Sequence, residues 1–237
     1  MNALAGGGTI LTFPTLLLLG ESARVANATS TVALLPGAAA SLAGYRREVA
    51  GHRRWLGTLF LPSLLGGAAG SLLLLATPEK IFARLAPWLV LFATALFAFQ
   101  SWRAAHRPPD PASSPGDDRR RAVAWLAQFG VAVYGGYFGA GIGILMLVVL
   151  GYLGLSDIHA MNGLKNFFGI CINAVAAAVF VAGGLVDWPV ALVVLVGAVA
   201  GGWTGAHFGR WIGPQRARAA VVVIGTFVGM LLLVRGM

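Results

Sequence analysis

Asn162, Lys165, Asn166, Gly169 and Asn173 are related by helical spacings of three and four inside an otherwise apolar run. That spacing places them on one face of a helix, so a single stripe carries nearly all the polarity of the segment. Lys165 is the only lysine or arginine lying well inside an expected membrane span. A charge in a bilayer is costly, which makes it a functional candidate. Its ammonium can neutralise a bound anion while the asparagine amides donate hydrogen bonds around it. Two plainer readings stay open: the ammonium snorkels to the headgroups, or the asparagines join helices without touching a ligand.

A second stripe, Asn27, Ser30, Thr31 and Ser41, lies in the first half of the chain. Glycine clusters at Gly6 to Gly8 and Gly139 to Gly143 let the backbone open there. The N–H groups at a half-helix start then face inward, where the helix dipole favours an anion. The expected substrate-binding set is Asn27, Ser30, Thr31, Asn162, Lys165, Asn166, Asn173, Gly7, Gly8, Gly141 and Gly143. For Gly66, Gly70, Gly201 and Gly205, close helix packing is the favoured role. His52, His106, His159 and His207 are scattered without ligand spacing, and no metalloprotease, hydrolase or nucleotide-binding motif occurs. No catalytic residue, metal or cofactor is expected. The one cysteine, Cys171, reads as a small core side chain, and no carboxylate lies deep enough to carry protons, leaving His207 as the best-placed titratable group.

These residues need a scaffold, and composition says which kind. Of 237 residues 58% are hydrophobic and only 11% charged, and the mean hydropathy is +0.80. That is too little polar surface for a water-soluble globule, so the lipid bilayer is the expected surrounding. A net charge of +9 sits in short clusters between apolar runs, a topology signal that argues against nucleic acid as a partner. A helix crossing a hydrocarbon core of about 30 Å needs about 20 apolar residues. Spans are expected near 23–46, 56–76, 80–102, 158–183, 187–208 and 215–235. The stretches 9–20 and 142–154 are too short to cross and read as half-helices. A further run, 122–138, pairs with the second of them as a broken helix or a tight hairpin.

Residues 103–121, rich in proline, serine and charge, read as a cytoplasmic linker between a first repeat (1–102) and a second (122–237). Arginines at 46, 47, 53 and 54, at 103, 107 and 119–121, and at 210, 216 and 218 put those three regions in the cytoplasm. A shift of 135 positions lays Asn27 on Asn162, Gly66 and Gly67 on Gly201 and Gly202, and Gly70 on Gly205. The charge pattern makes 23–46 and 158–183 run in opposite senses, so the repeat is inverted. The expected fold is an all-α integral membrane protein of about seven or eight transmembrane segments, with half-helices after the glycine clusters.

The stretches GGGTILTFPTLLLLGESARVANATS and GAGIGILMLVVLGYLGLSDIHAMNGLKNFFGICIN, with the GGLVDW turn and the glycine-rich GAVAGGWTGAHFGRWIG, resemble the sulfite exporter TauE/SafE family of bacterial membrane transporters. The resemblance implies ATP-independent movement of a small sulfur-containing anion, such as sulfite or a sulfonate, across the bacterial inner membrane. The competing class is a membrane-embedded assembly or scaffold subunit without transport of its own. The family pattern places an apolar helix before the first glycine cluster, whereas Met1 to Ala5 alone precede it here. That implies a start set too late or a shortened chain. Val149 also stands where the repeat would place the counterpart of Pro14.

Overall fold

A computed structural model describes residues 8–43, 45, 49–106, 118–155, 157–212 and 214–234, with side chains left aside at 43, 53, 100–106, 118–120, 201–212 and 214–221. The described residues form nine helices: α1 (Gly8–Leu18), α2 (Ala23–Ala43), α3 (Arg53–Ala76), α4 (Glu79–His106), α5 (Asp118–Tyr137), α6 (Ile142–Tyr152), α7 (Ile158–Ala182), α8 (Trp188–Ile212) and α9 (Pro214–Val234). No strand occurs among them. This is an all-helical chain, as its uninterrupted apolar runs require when lipid offers the backbone no partner.

Four helical stretches, Ala23–Leu42, Arg54–Ala76, Glu79–Phe99 and Ile158–Ala182, are long and apolar enough to cross a membrane. The two short helices fall where half-helices are expected, at Gly8–Leu18 and Ile142–Tyr152. Between α5 and α6 the chain breaks over four residues, Phe138 to Gly141, so 122–154 is two helices joined by a short break. The expected linker is shorter than its composition suggests, because α4 runs on to His106 and α5 already begins at Asp118. Residues 107–117 between them lie outside the described residues.

Both half-helices end alike. Gly20 and Gly154 take positive φ angles of 98° and 83°, and the amides after them reach back to Leu16 at 3.1 Å and to Leu150 at 3.2 Å. That is the left-handed glycine stop, which caps the last carbonyls of a helix. Each stop leads into a long helix, α2 in one case and α7 in the other. Glu79 caps α2 from the start of α4, accepting the Ala23 and Arg24 amides at 2.6 and 3.3 Å, and Asp157 caps α7, accepting the His159 amide at 2.9 Å.

Helix starts show a regular spacing. Ala23 and Ile158, Arg53 and Trp188, and Glu79 and Pro214 are each 135 positions apart, while Gly8 and Ile142 are 134 apart. The packing follows the same correspondence: α1 lies on α2 as α6 lies on α7, α3 lies on α7 as α8 lies on α2, and α1 meets α9 as α6 meets α4.

The most extensive contact is between α3 and α5. A Cβ on Gly66 would lie 2.6 Å from both the Ala132 methyl and the Phe129 carbonyl; one on Gly70 would run into the Val133 carbonyl, and one on Gly136 into the Gly67 backbone. Close backbone approach through small residues is how helices associate where lipid removes the hydrophobic incentive. Gln128 adds a cross-link, donating to the Ser63 hydroxyl at 2.9 Å. The expected packing role of Gly66 and Gly70 therefore has a named partner in α5, whereas the surroundings of Gly201 and Gly205 lie outside the described residues.

Two apolar clusters hold the bundle. In one, Phe138 of the α5–α6 break stands edge-on to Phe13 of α1, with ring centroids 5.2 Å apart, which ties the break to the opposite half-helix. The other joins Leu59, Met146, Leu164, Phe168 and Ile172. Outward-facing Leu61, Leu72, Val193, Val196 and Phe227 are all more than half exposed. Such a belt would be a liability in water and is ordinary surface in lipid.

Candidate functional site

The chain opens into a cavity of about 60 Å³ where α1, α2, α6 and α7 converge. Its polar wall comes from Lys165, Asn166 and Asn173 on α7, Thr31 and Ser41 on α2, and Thr9 on the first turn of α1. Leu34, Met146 and Ile170 supply apolar wall. The stripe on α7 thus turns its charge toward α2 and the two half-helices.

Lys165 is only 4% exposed. Its ammonium donates to the Asn162 side-chain oxygen at 3.0 Å, so that asparagine orients the lysine from one turn earlier and stands behind the cavity wall. Asn166 reaches across to the Ser41 hydroxyl at 3.5 Å, a long contact linking α7 to α2. Asn173 stands beside the break, its oxygen 3.7 Å from where a Cβ of Gly139 would lie.

The break supplies the second feature. Gly139 and Gly141 hold φ angles of 81° and 78°, in the left-handed region that side chains with a Cβ rarely adopt. This turns the chain so that α6 starts at the cavity, with Ile142 and Gly143 in its wall. The Ile142 and Ile144 amides donate to the Gly139 and Gly141 carbonyls at 3.4 and 3.0 Å, so what α6 offers the cavity is the positive end of its dipole. Gly143 also lets the lysine stem lie close, since a Cβ there would sit 3.1 Å from Lys165 Cδ. Thr9 brings the start of α1 to the same cavity. One ammonium and two half-helix starts therefore face one small space, an arrangement suited to a negative guest.

Of the expected residues, the cavity gathers Thr31, Lys165, Asn166, Asn173 and Gly143. Gly8 opens α1 next to Thr9, and Gly141 shapes the turn into α6, whereas Gly7 lies outside the described residues. Asn27 and Ser30 are buried at 1% and 0% exposure and do not line it; the Asn27 amide donates instead to the Tyr137 carbonyl at 3.1 Å. Sequence reasoning missed Thr9, although the 134-position offset places it on Gly143. Leu34, Met146 and Ile170 carried no signal, since apolar walls look like any other apolar stretch. The His207 side chain lies outside the described residues, and Cys171 is half-buried.

A probable membrane transporter protein of Haemophilus influenzae is 28% identical over 234 residues, covering 94% of this chain and 86% of its own length. The probable membrane transporter protein YfcA of Escherichia coli K12 is 25% identical, covering 98% of this chain and 84% of its own. A probable membrane transporter protein, ORF9, of a Sinorhizobium species is 22% identical, covering 98% and 87%. No solved structure matches the chain. The sulfite exporter TauE/SafE family matches residues 1–232, nearly the whole length. With relatives described as transporters and several helices apolar enough to span, the chain is a multi-pass membrane protein and belongs to the sulfite exporter TauE/SafE family of membrane transporters.

Proposed function

We propose that this transporter carries small sulfur-containing anions, sulfite or sulfonates, across the bacterial inner membrane by alternating access between two inverted repeats. The observation that carries the reading is the convergence of the Lys165 ammonium and the starts of α1 and α6 on one cavity. An anion leaving water loses its hydration and needs fixed positive groups in return. A single ammonium balances one negative charge, so the singly charged form is the one carried.

The matched helix starts, the paired glycine stops and the corresponding packing of α1, α2 and α3 with α6, α7 and α8 support two repeats of one plan. The arginine clusters support their opposite insertion, with the linker in the cytoplasm. The cavity then lies where the two halves meet, and rocking of one bundle against the other opens it to each side in turn. Purified protein in liposomes, offered sulfite and a panel of organosulfonates under an imposed ion gradient, is expected to move at least one of them faster than empty liposomes do. Movement of none of them overturns the assignment.

A further inference from the structure

The helices group in a way that crosses the boundary between the two repeats. In one bundle α3 and α6 both lie on α5 and α7; in the other α8 lies on α2, while α1 and α4 lie on α2 and α9. Each half therefore lends one helix, α3 or α8, to the other, and the bundles meet chiefly along α2 and α7.

The two ends of that meeting differ. On the side that the arginine clusters leave outside, α2 donates twice to the other bundle. The Arg24 guanidinium donates to the Leu75 carbonyl at 2.8 Å and the Asn27 amide to the Tyr137 carbonyl at 3.1 Å. Both acceptors belong to the last turn of their helices, α3 ending at Ala76 and α5 at Tyr137. Such carbonyls have no partner within the helix and carry the negative end of its dipole, so a guanidinium and an amide suit them. Phe13, Phe82, Phe138 and Phe180, each at most 1% exposed, press the bundles together in the cluster that also holds Ala26 and Leu74.

On the cytoplasmic side the bundles stand apart. The cavity wall on α2 runs from Thr31 to Ser41, about 15 Å toward the cytoplasmic end of the helix at about 1.5 Å per residue. The 135-position offset makes His159 and Asn162 the counterparts of Arg24 and Asn27. His159 is exposed, and Asn162 holds the Lys165 ammonium at 3.0 Å within its own helix. The described hydrogen bond from α7 to α2 there, Asn166 to Ser41, is long at 3.5 Å.

Resting on the two-repeat reading above, we propose that this structure is the inward-facing state and that Arg24 and Asn27 form the latch that shuts its outer side. Opening that side breaks both bonds, and water then takes over the freed carbonyls, so the latch is reversible. Asn27 lies about one turn from Thr31 in the cavity wall, and Tyr137 is the last residue before the break that leads into α6. Separating Asn27 from Tyr137 therefore moves both elements that shape the cavity.

The test is labelling of a single cysteine, Thr31→Cys in a Cys171→Ser background, by a membrane-impermeant thiol reagent applied to intact cells and to inside-out vesicles. Reaction from the cytoplasmic side is expected to be at least tenfold faster than from outside. Asn27→Asp, which sets a carboxylate against the Tyr137 carbonyl, and Arg24→Ala are each expected to raise outside labelling at least threefold and to lower cytoplasmic labelling in step. That reciprocity marks an exchange between two states, whereas a loosened fold raises both rates. Ala38→Cys, in the same wall, takes over if Thr31→Cys does not elute as one species. Labelling from outside as fast as from the cytoplasm, with the latch intact, overturns the inward-facing assignment. Outside labelling unmoved, or raised together with cytoplasmic labelling, strikes that residue from the latch in one variant and overturns the latch in both. The labelling needs no substrate, so failure of every tested anion to cross removes the transport reading alone, and flux with unmoved labelling removes the latch alone.

Discussion

Replacing Lys165 by methionine is the most direct perturbation of the proposed anion site, because methionine keeps most of the length and apolar contact of the lysine stem and removes only the charge. A hydrogen bond to a charged group contributes about 1.5–3 kcal/mol. At about 1.4 kcal/mol per decade, its loss raises the half-saturating anion concentration about 10- to 150-fold. The fold is expected to survive. Lys165 is 4% exposed and its one described hydrogen bond is to Asn162, so the variant gives up one neutral partner while removing a charge whose insertion costs about 2.5–3.5 kcal/mol. Lys165→Arg keeps the charge but crowds a cavity of about 60 Å³ with a wider head group, so partial activity is expected. The assay is concentration-dependent anion flux in proteoliposomes at matched protein density, with thermal unfolding in detergent as the control. A Lys165→Met protein whose half-saturating concentration stays within twofold of the natural chain refutes the electrostatic reasoning and leaves Lys165 as a packing residue.

Gly143→Val is expected to block flux with little change in unfolding temperature, since a Cβ there already meets Lys165 Cδ at 3.1 Å and the added methyls fill the cavity; flux at the natural rate would detach this wall from the pathway. Gly66→Ala is expected to destabilise the α3–α5 contact by about 1–3 kcal/mol through overpacking, while Gly130→Ala, whose Cβ would meet nothing within 4 Å, serves as the harmless control; tryptophan fluorescence during heating compares them. Glu79→Ala removes the acceptor for two first-turn amides of α2 and is expected to cost about 1 kcal/mol, read as a lower midpoint on heating. In a Cys171→Ser background, single cysteines introduced at 46–54 and at 183–188 are expected to react with impermeant reagents from opposite sides of the membrane; labelling from the same side refutes the inverted insertion.

The amino-acid order alone settled the solvent, the helical class and the places where the chain must break. Those properties are local or additive: the length of an apolar run decides whether it spans, and a glycine cluster decides where a helix stops. An offset of 135 positions was also legible, because Asn27 with Asn162 and Gly66 with Gly201 keep their spacing in the chain. A helix periodicity put Lys165, Asn166 and Asn173 on one face. Which neighbours that face meets was decided only by packing.

The tertiary arrangement turned the α7 stripe toward Thr9 and Ser41, residues more than 120 positions away, and held it there with Phe138 set against Phe13. It also separated two stripes that looked alike. Thr31 reached the cavity, whereas Asn27 and Ser30, one turn or less away on α2, faced into packed helix. Ser30 lies about 100° around the helix axis from Thr31, and Asn27 a full turn along it, so each meets different neighbours. Where each points depends on how α2 rotates against α5 and α7, and that rotation is fixed by contacts summed over the whole bundle, a quantity that residue spacing within one helix does not contain.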